Sequence, residues 1–144
     1  MSSPFRGYLY KSVKTGQPFP NQYIQFDTFK TTPKQREELK AYRDDNTRDL
    51  TRITAQGKKS TFRHKTRKSL HLVDAMAIQQ WFDDAEENTA EADEQRKVEL
   101  EYWDNEHFRY DSGYFYRPNL EFPIIRIEED DIIYDDFELK FIEY

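Results

Sequence analysis

The sequence predicts an α+β chain that is mainly β: antiparallel sheets in a sandwich or barrel-like arrangement, one amphipathic helix, and an extended N-terminal arm. Three observations carry this expectation. Segments alternating apolar and polar side chains, separated by turn formers, fill most of the chain after residue 96. One segment near Asp74 has a clean three-to-four apolar spacing. Aromatics make up 16% of a chain that is only 36% hydrophobic and 35% charged, so rings must supply much of the core. At 144 residues, one domain able to bury a real core is expected. The division is an arm at 1–22 and a single β-rich domain at 23–144.

The arm, "MSSPFRGYLYKSVKTGQPFPNQY", holds three prolines and two glycines, yet carries Phe5, Tyr8, Leu9, Tyr10 and Phe19. A linker needs no such rings. Tyr8–Val13 reads as a short strand; either the arm packs on a neighbouring subunit, with Phe5, Tyr8 and Tyr10 as anchors, or it folds back on its own domain. "YIQFDTFKT" (23–31) reads as a strand. In the next segment Thr32, Pro33 and Gln35 offer an N-cap, a first-turn proline and a capping box for a short helix over 33–43. Residues 48–72 read as two strands around "AQGKKS", with Phe62, His64, Thr66, Lys68, Leu70 and Leu72 on one face. Asp74 is the expected N-cap of the helix over about 74–87, whose stripe is Ala77, Ile78, Trp81, Phe82 and Ala85. Beyond it, Val98, Leu100 and Tyr102 share a strand face and "DNEH" turns the chain. "FRYDSGYFYRP" returns with a bulge or second turn at "DSG", and two more strands follow, with Phe137, Leu139 and Phe141 on one face.

Residues 102–118, "YWDNEHFRYDSGYFYRP", pack seven aromatic side chains into seventeen positions. Cross-strand aromatic pairs stabilise a hairpin, and packing is the leading explanation. The alternative is a ligand platform of exposed rings, with Trp103, Tyr110, Tyr114 and Tyr116 as candidates. Only Arg109 and Arg117 are basic here, which argues against gripping a phosphate backbone.

The chain has no cysteine, which removes disulfides, thiolate metal sites and thiol catalysis. No long apolar run marks a signal peptide or a membrane span. The three histidines are scattered, and each reads as a surface or rim residue. Asp130–Asp131 and Asp135–Asp136 flank "IIY" without the glycine and spacing of a calcium loop. There is no phosphate-binding glycine loop, nucleophile elbow or metalloprotease motif. No metal, no cofactor and no catalytic residues are expected. Charge is segregated: eight bases and one acid lie between Arg48 and Lys68, eleven acids and two bases between Asp83 and Glu106. Arg63, Lys65 and Arg67 are therefore candidates for docking onto the acids of a neighbour. A net charge of −6 argues against general nucleic-acid binding.

Four short runs carry a resemblance: Pro33-Lys34-Gln35-Arg36, Arg43-Asp44-Asp45-Asn46, Tyr114-Phe115-Tyr116 leading to Pro118, and the closing Phe141-Ile142-Glu143-Tyr144. With their order over residues 21–144, the chain resembles small minor tail or tail-tip proteins of long-tailed phages and prophages of Firmicutes and related gut bacteria. The resemblance implies a non-enzymatic structural role in the virion tail, after synthesis in the bacterial host cytoplasm. Its partners would be copies of itself in a ring and other phage tail proteins. Residues 1–20 lie outside the resemblance. The alternatives are a glycan- or host-surface-binding module at a tail tip, and a small phage protein that binds nucleic acid or a host protein.

Overall fold

The computed structural model describes residues 3–32, 59–87 and 96–144. The expected helix over 33–43, the first strand of the 48–72 pair and the acidic stretch after Glu87 lie wholly or mostly outside these residues. The described chain is α+β and mainly β. It has nine strands: β1 (Tyr10–Ser12), β2 (Ile24–Thr32), β3 (Thr61–Thr66), β4 (Leu70–His71), β5 (Lys97–Asp104), β6 (Arg109–Tyr116), β7 (Ile124–Glu128), β8 (Asp131–Tyr134) and β9 (Glu138–Ile142). The helix α1 spans Leu72–Ala85. Three antiparallel sheets have the strand orders β1-β5-β6, β2-β3-β9 and β4-β8-β7. The first two are stitched where Phe115 bridges Glu143 and the Tyr144 N–H donates to the Tyr114 carbonyl at 2.6 Å. No barrel closes among the described residues. Nor is any described helix long and apolar enough to cross a membrane.

The core is mostly rings. Phe62 of β3 lies at its centre, stacked on its cross-strand partner Phe141 at 4.4 Å and on Tyr102 of the other sheet at 4.9 Å. Phe115 meets it edge-on at 5.2 Å. Alternation explains these positions. Val98, Leu100 and Tyr102 point inward from β5, Phe115 from β6, and Leu139 and Phe141 from β9.

The N-terminal segment folds back instead of extending. Tyr10 pairs with Tyr102, and residues 10–19 form a tight reversal in which the Phe19 N–H donates to the Tyr10 carbonyl at 2.9 Å. Gly16, at φ +74°, takes a backbone conformation that other residues rarely adopt. Tyr10 is 0% exposed, enclosed by Phe19, Phe62, Trp81 and Phe141. It is therefore a core residue and not an anchor for a neighbour.

His64 departs from the surface or rim position expected of it. It is fully buried, and the Tyr10 hydroxyl donates to its Nε2 at 2.8 Å. Its Nδ1–H donates to the Lys65 carbonyl at 3.0 Å. A carbonyl only accepts, so the ring is the neutral Nδ1–H tautomer. Burial lowers its pKa to about 4.

Further expectations are corrected. The helix starts at Leu72, with His71 as N-cap. Asp74 sits three residues inside, accepting the His71 N–H at 2.9 Å, and Asp131 accepts the Leu72 N–H at 3.2 Å. Two carboxylates thus meet the positive helix end. Ala75 replaces Ala77 in the buried stripe, because Ala75 lies three residues before Ile78 and seven before Phe82, on their face, whereas Ala77 is turned about 100° from Ile78. The shared face of residues 62–72 breaks at Ser69 (φ +61°), which leaves Lys68 exposed between two short strands. β6 runs straight through "DSG", where a Cβ on Gly113 would meet the Glu143 carboxylate at 3.0 Å. Phe108 leaves that strand for the turn, at φ +55°. The final segment forms three strands, since "EEDD" reverses the chain between β7 and β8.

At the C-terminal end of α1, Asp83 and Glu86 lie at the wrong end of the helix dipole. Arg117, its side chain only 4% exposed, answers both, at 2.9 Å and 2.7 Å, and locks the helix to the end of β6.

Two predictions follow from this packing. Phe62→Ala removes the ring common to both sheets and should cost roughly 3–5 kcal/mol, read by denaturant unfolding. The second concerns His64, whose folded pKa lies below its ordinary 6.5. The unfolded chain binds the extra proton first, so stability is full above pH 6.5 and is lost as pH falls to about 4. The loss should reach roughly 3 kcal/mol, at about 1.4 kcal/mol per pH unit. His64→Gln should flatten the unfolding free energy across that window; an unchanged slope would show that the imidazole is not its source.

Candidate functional site, an aromatic cleft at the hairpin tip

The β5–β6 hairpin is two-faced because its registers alternate. Tyr102 and Phe115 face the core. Trp103, Tyr110, Tyr114 and Tyr116 share the outer face, with Trp103 opposite Tyr110. The residues before β1 lie across this outer face near the hairpin turn. Phe5 meets Trp103 edge-on at 5.2 Å, and Tyr8 packs on Tyr110 at 4.9 Å. The Tyr110 hydroxyl donates to the Tyr8 carbonyl at 2.8 Å and accepts the Arg6 N–H at 3.0 Å. Arg6 also covers the Tyr110 ring at 4.9 Å. Glu101 collects the Tyr8 hydroxyl, Arg6 and Lys11. Burial raises the Tyr110 hydroxyl above its ordinary pKa.

The hairpin turn is held by Asp104. This buried carboxylate accepts the Glu106 N–H at 2.9 Å and the His107 Nδ1–H at 2.7 Å. Burial alone would raise its pKa, but these bonds outweigh it and hold the carboxyl below the ordinary value. One residue on, the Asn105 N–H donates to Thr31 Oγ1 at 3.1 Å, which ties the turn to β2.

Between these pieces opens a cleft of about 430 Å³, lined by Phe5, Leu9, Asn21, Phe26, Phe29, Trp103 and Asn105. Each of its two amides is held by one atom: Asn21 Nδ2 donates to the Gly7 carbonyl, and Asn105 Oδ1 accepts from Trp103 Nε1. The other five lining residues are apolar or aromatic. Phe26 on its wall is 59% exposed, and Phe108, 6.5 Å from Trp103, is 63% exposed. Rings left this open in a chain short of apolar residues make the cleft a candidate contact surface.

Candidate residues from both sequence readings meet here. Phe5 and Tyr8, proposed as anchors, sit against Trp103 and Tyr110, proposed as a platform. Trp103, however, is only 8% exposed, so its face is not an open stacking surface. Tyr114 and Tyr116 lie at the other end of β6 with Tyr144, where Lys97 sits 4.3 Å from the Tyr144 ring. The four platform residues therefore form two patches. Arg63, Lys65 and Arg67 lie on β3 and just after it, exposed but facing acids of their own chain. Arg63 is 3.8 Å from Glu138, and Arg67 is 3.3 Å from Asp74. Such exposed pairs bind weakly and can exchange partners.

Phe26 and Phe29 were not singled out from the sequence, and Leu9 and Phe108 were noted there without being site candidates. A signal existed: Phe26 and Phe29 are three apart on a strand, so regular alternation cannot turn both to the core. Among the described residues, no three His, Asp or Glu side chains gather into a group that could hold a metal ion.

A family model described as "Family of unknown function (DUF6711)" matches residues 1–144. The chain belongs to the DUF6711 family. No curated protein and no solved structure matches significantly.

The packing of the N-terminal residues is directly testable. With Trp81 replaced by Phe, Trp103 is the sole tryptophan. Phe5→Ala in that background should red-shift Trp103 emission and increase its quenching by acrylamide. Unchanged emission would mean that Phe5 does not cover the indole.

Proposed function

We propose that this DUF6711 chain is a non-enzymatic structural subunit of a phage tail, in the tail end, baseplate or tail-completion ring. It works by contact with copies of itself and with other tail proteins. One observation carries the contact role: the cleft at the hairpin tip, lined by Phe5, Leu9, Phe26, Phe29 and Trp103, where Phe26 stays open to solvent and Phe108 is exposed nearby, 6.5 Å from Trp103. Supporting it, each histidine is engaged in holding the fold: His64 with Tyr10, His71 with Asp131 and His107 with Asp104. The tail assignment itself rests on the resemblance over residues 21–144, and the virion location follows from it.

The cleft's occupant in this reading is an apolar segment of a neighbouring subunit. Phe26 and Phe108 hold little of the core, so replacing both by serine should leave unfolding stability within about 1 kcal/mol of wild type. It should weaken self-assembly at least tenfold in concentration, read by light scattering and electron microscopy. Assembly equal to wild type, with the fold intact, would overturn the cleft as a contact site. Loss of assembly without loss of tail incorporation in an infected host would separate self-contact from the tail role.

A glycan- or host-surface-binding module is the second reading. It is favoured by Tyr114 and Tyr116, 43% and 42% exposed, beside Tyr144. It predicts saccharide-dependent changes in tyrosine fluorescence that Tyr114→Ala abolishes.

A further inference from the structure

The third sheet ends in a strand that the core does not account for. β7 is the outermost strand of β4-β8-β7, and all five of its residues are exposed. Three are isoleucines; Ile127 alone is 69% exposed. Among the described residues nothing pairs with its outer edge. Edge strands are usually protected by lysine, proline or a covering loop, and an open apolar edge is a template for another strand.

The backbone defines what can be added. Glu128 and Asp131 pair directly across the Glu129–Asp130 turn. Residues flanking a two-residue turn exchange their main-chain bonds with each other. Glu128 therefore turns its N–H and C=O toward β8, and Ile127 turns its own outward.

We propose that two copies of this chain join by antiparallel pairing of β7 with its counterpart, on a two-fold axis through Ile127. In this register the outward N–H and C=O of Ile127 bond to those of the second Ile127. Arg126 then lies opposite Glu128 of the second copy, and Glu128 opposite its Arg126. These are non-hydrogen-bonded positions, where side chains approach most closely. Within one chain Arg126 and Glu128 already form an ion pair, so both extend to the same side of the strand. The two pairs become a ring of four alternating charges. On the opposite side, Ile127 stands beside its own cross-strand partner Ile132, and the two-fold axis doubles them into a strip of four isoleucines. The result is one continuous six-stranded sheet across two copies.

The charge pattern selects a second copy over a foreign strand. The sequence Arg126-Ile127-Glu128 is complementary to itself under reversal, as an isologous contact requires. This contact is separate from the aromatic cleft.

The test uses the full chain with Phe26→Ser and Phe108→Ser, so that the cleft does not contribute. Sedimentation equilibrium should give a monomer–dimer equilibrium. Arg126→Glu and Glu128→Arg each place like charges opposite one another twice, and each should raise the dimer dissociation constant about tenfold or more. The double variant Arg126→Glu/Glu128→Arg restores both pairs and should recover dimerisation. An equimolar mixture of the two single variants should form heterodimers, resolved by native mass spectrometry, in which every charge again meets its opposite. Circular dichroism matching wild type establishes that the variants fold. A monomer up to millimolar concentration, or a dimer indifferent to both single reversals, would overturn the proposal.

Discussion

The stack of Phe62 between Phe141 and Tyr102 is the contact on which the rest of the molecule depends. Phe62 and Phe141 face each other across β3 and β9, while Tyr102 belongs to the other sheet. Phe62 therefore joins two sheets whose backbones, among the described residues, hydrogen-bond to each other at the chain end, around Phe115, Glu143 and Tyr144. Aromatic rings suit the role because each buries a large area and pairs favourably both stacked and edge-on. With aliphatics scarce, a core of this size is reached by concentrating rings at one point.

That solution has a polar consequence. A core built from tyrosine must satisfy its hydroxyls. Tyr10 does so through His64, and His64 does so through the Lys65 carbonyl. The chain from β1 to β3 is complete, and no described buried side-chain polar atom lacks a partner. The arrangement demands a neutral imidazole, so acid weakens the fold from within. The residues before β1 are fixed by the same element. Once Tyr10 is seated in the core, Phe5 and Tyr8 are carried onto the outer face of the β5–β6 hairpin, and the cleft forms where they meet β2.

The charged residues follow a similar logic. Asp74 and Asp131 serve the N-terminal end of α1, Arg117 answers Asp83 and Glu86 at the other end, and Asp104 holds the hairpin turn. Charge blocks that look segregated along the chain are in part consumed by local fold requirements. The apolar surfaces remain: the cleft at one place and the edge of β7 at another. If both act as proposed, one isologous edge and one further contact surface would let copies of the chain extend beyond a pair into a closed assembly.

Alternation alone determined which side chains of β5 and β9 face inward, and three-to-four spacing located α1 to within two residues at its start. These are local periodicities, and burial of one face enforces them. The N-terminal segment was different. Its rings were legible, but whether they served a neighbour or the chain itself depended on Tyr10 meeting a histidine 54 positions away. His64 looked like a rim residue for the same reason, since nothing near it in sequence announces its partner. Phe26 and Phe29 could be read as unable to share one face, yet the cleft between them and Trp103 exists only because three distant segments converge. The isoleucines of β7 look like core residues by type. Only the strand order, which puts β7 outermost, left them at an open edge, because pairing between strands is set by the whole packing and not by any one segment.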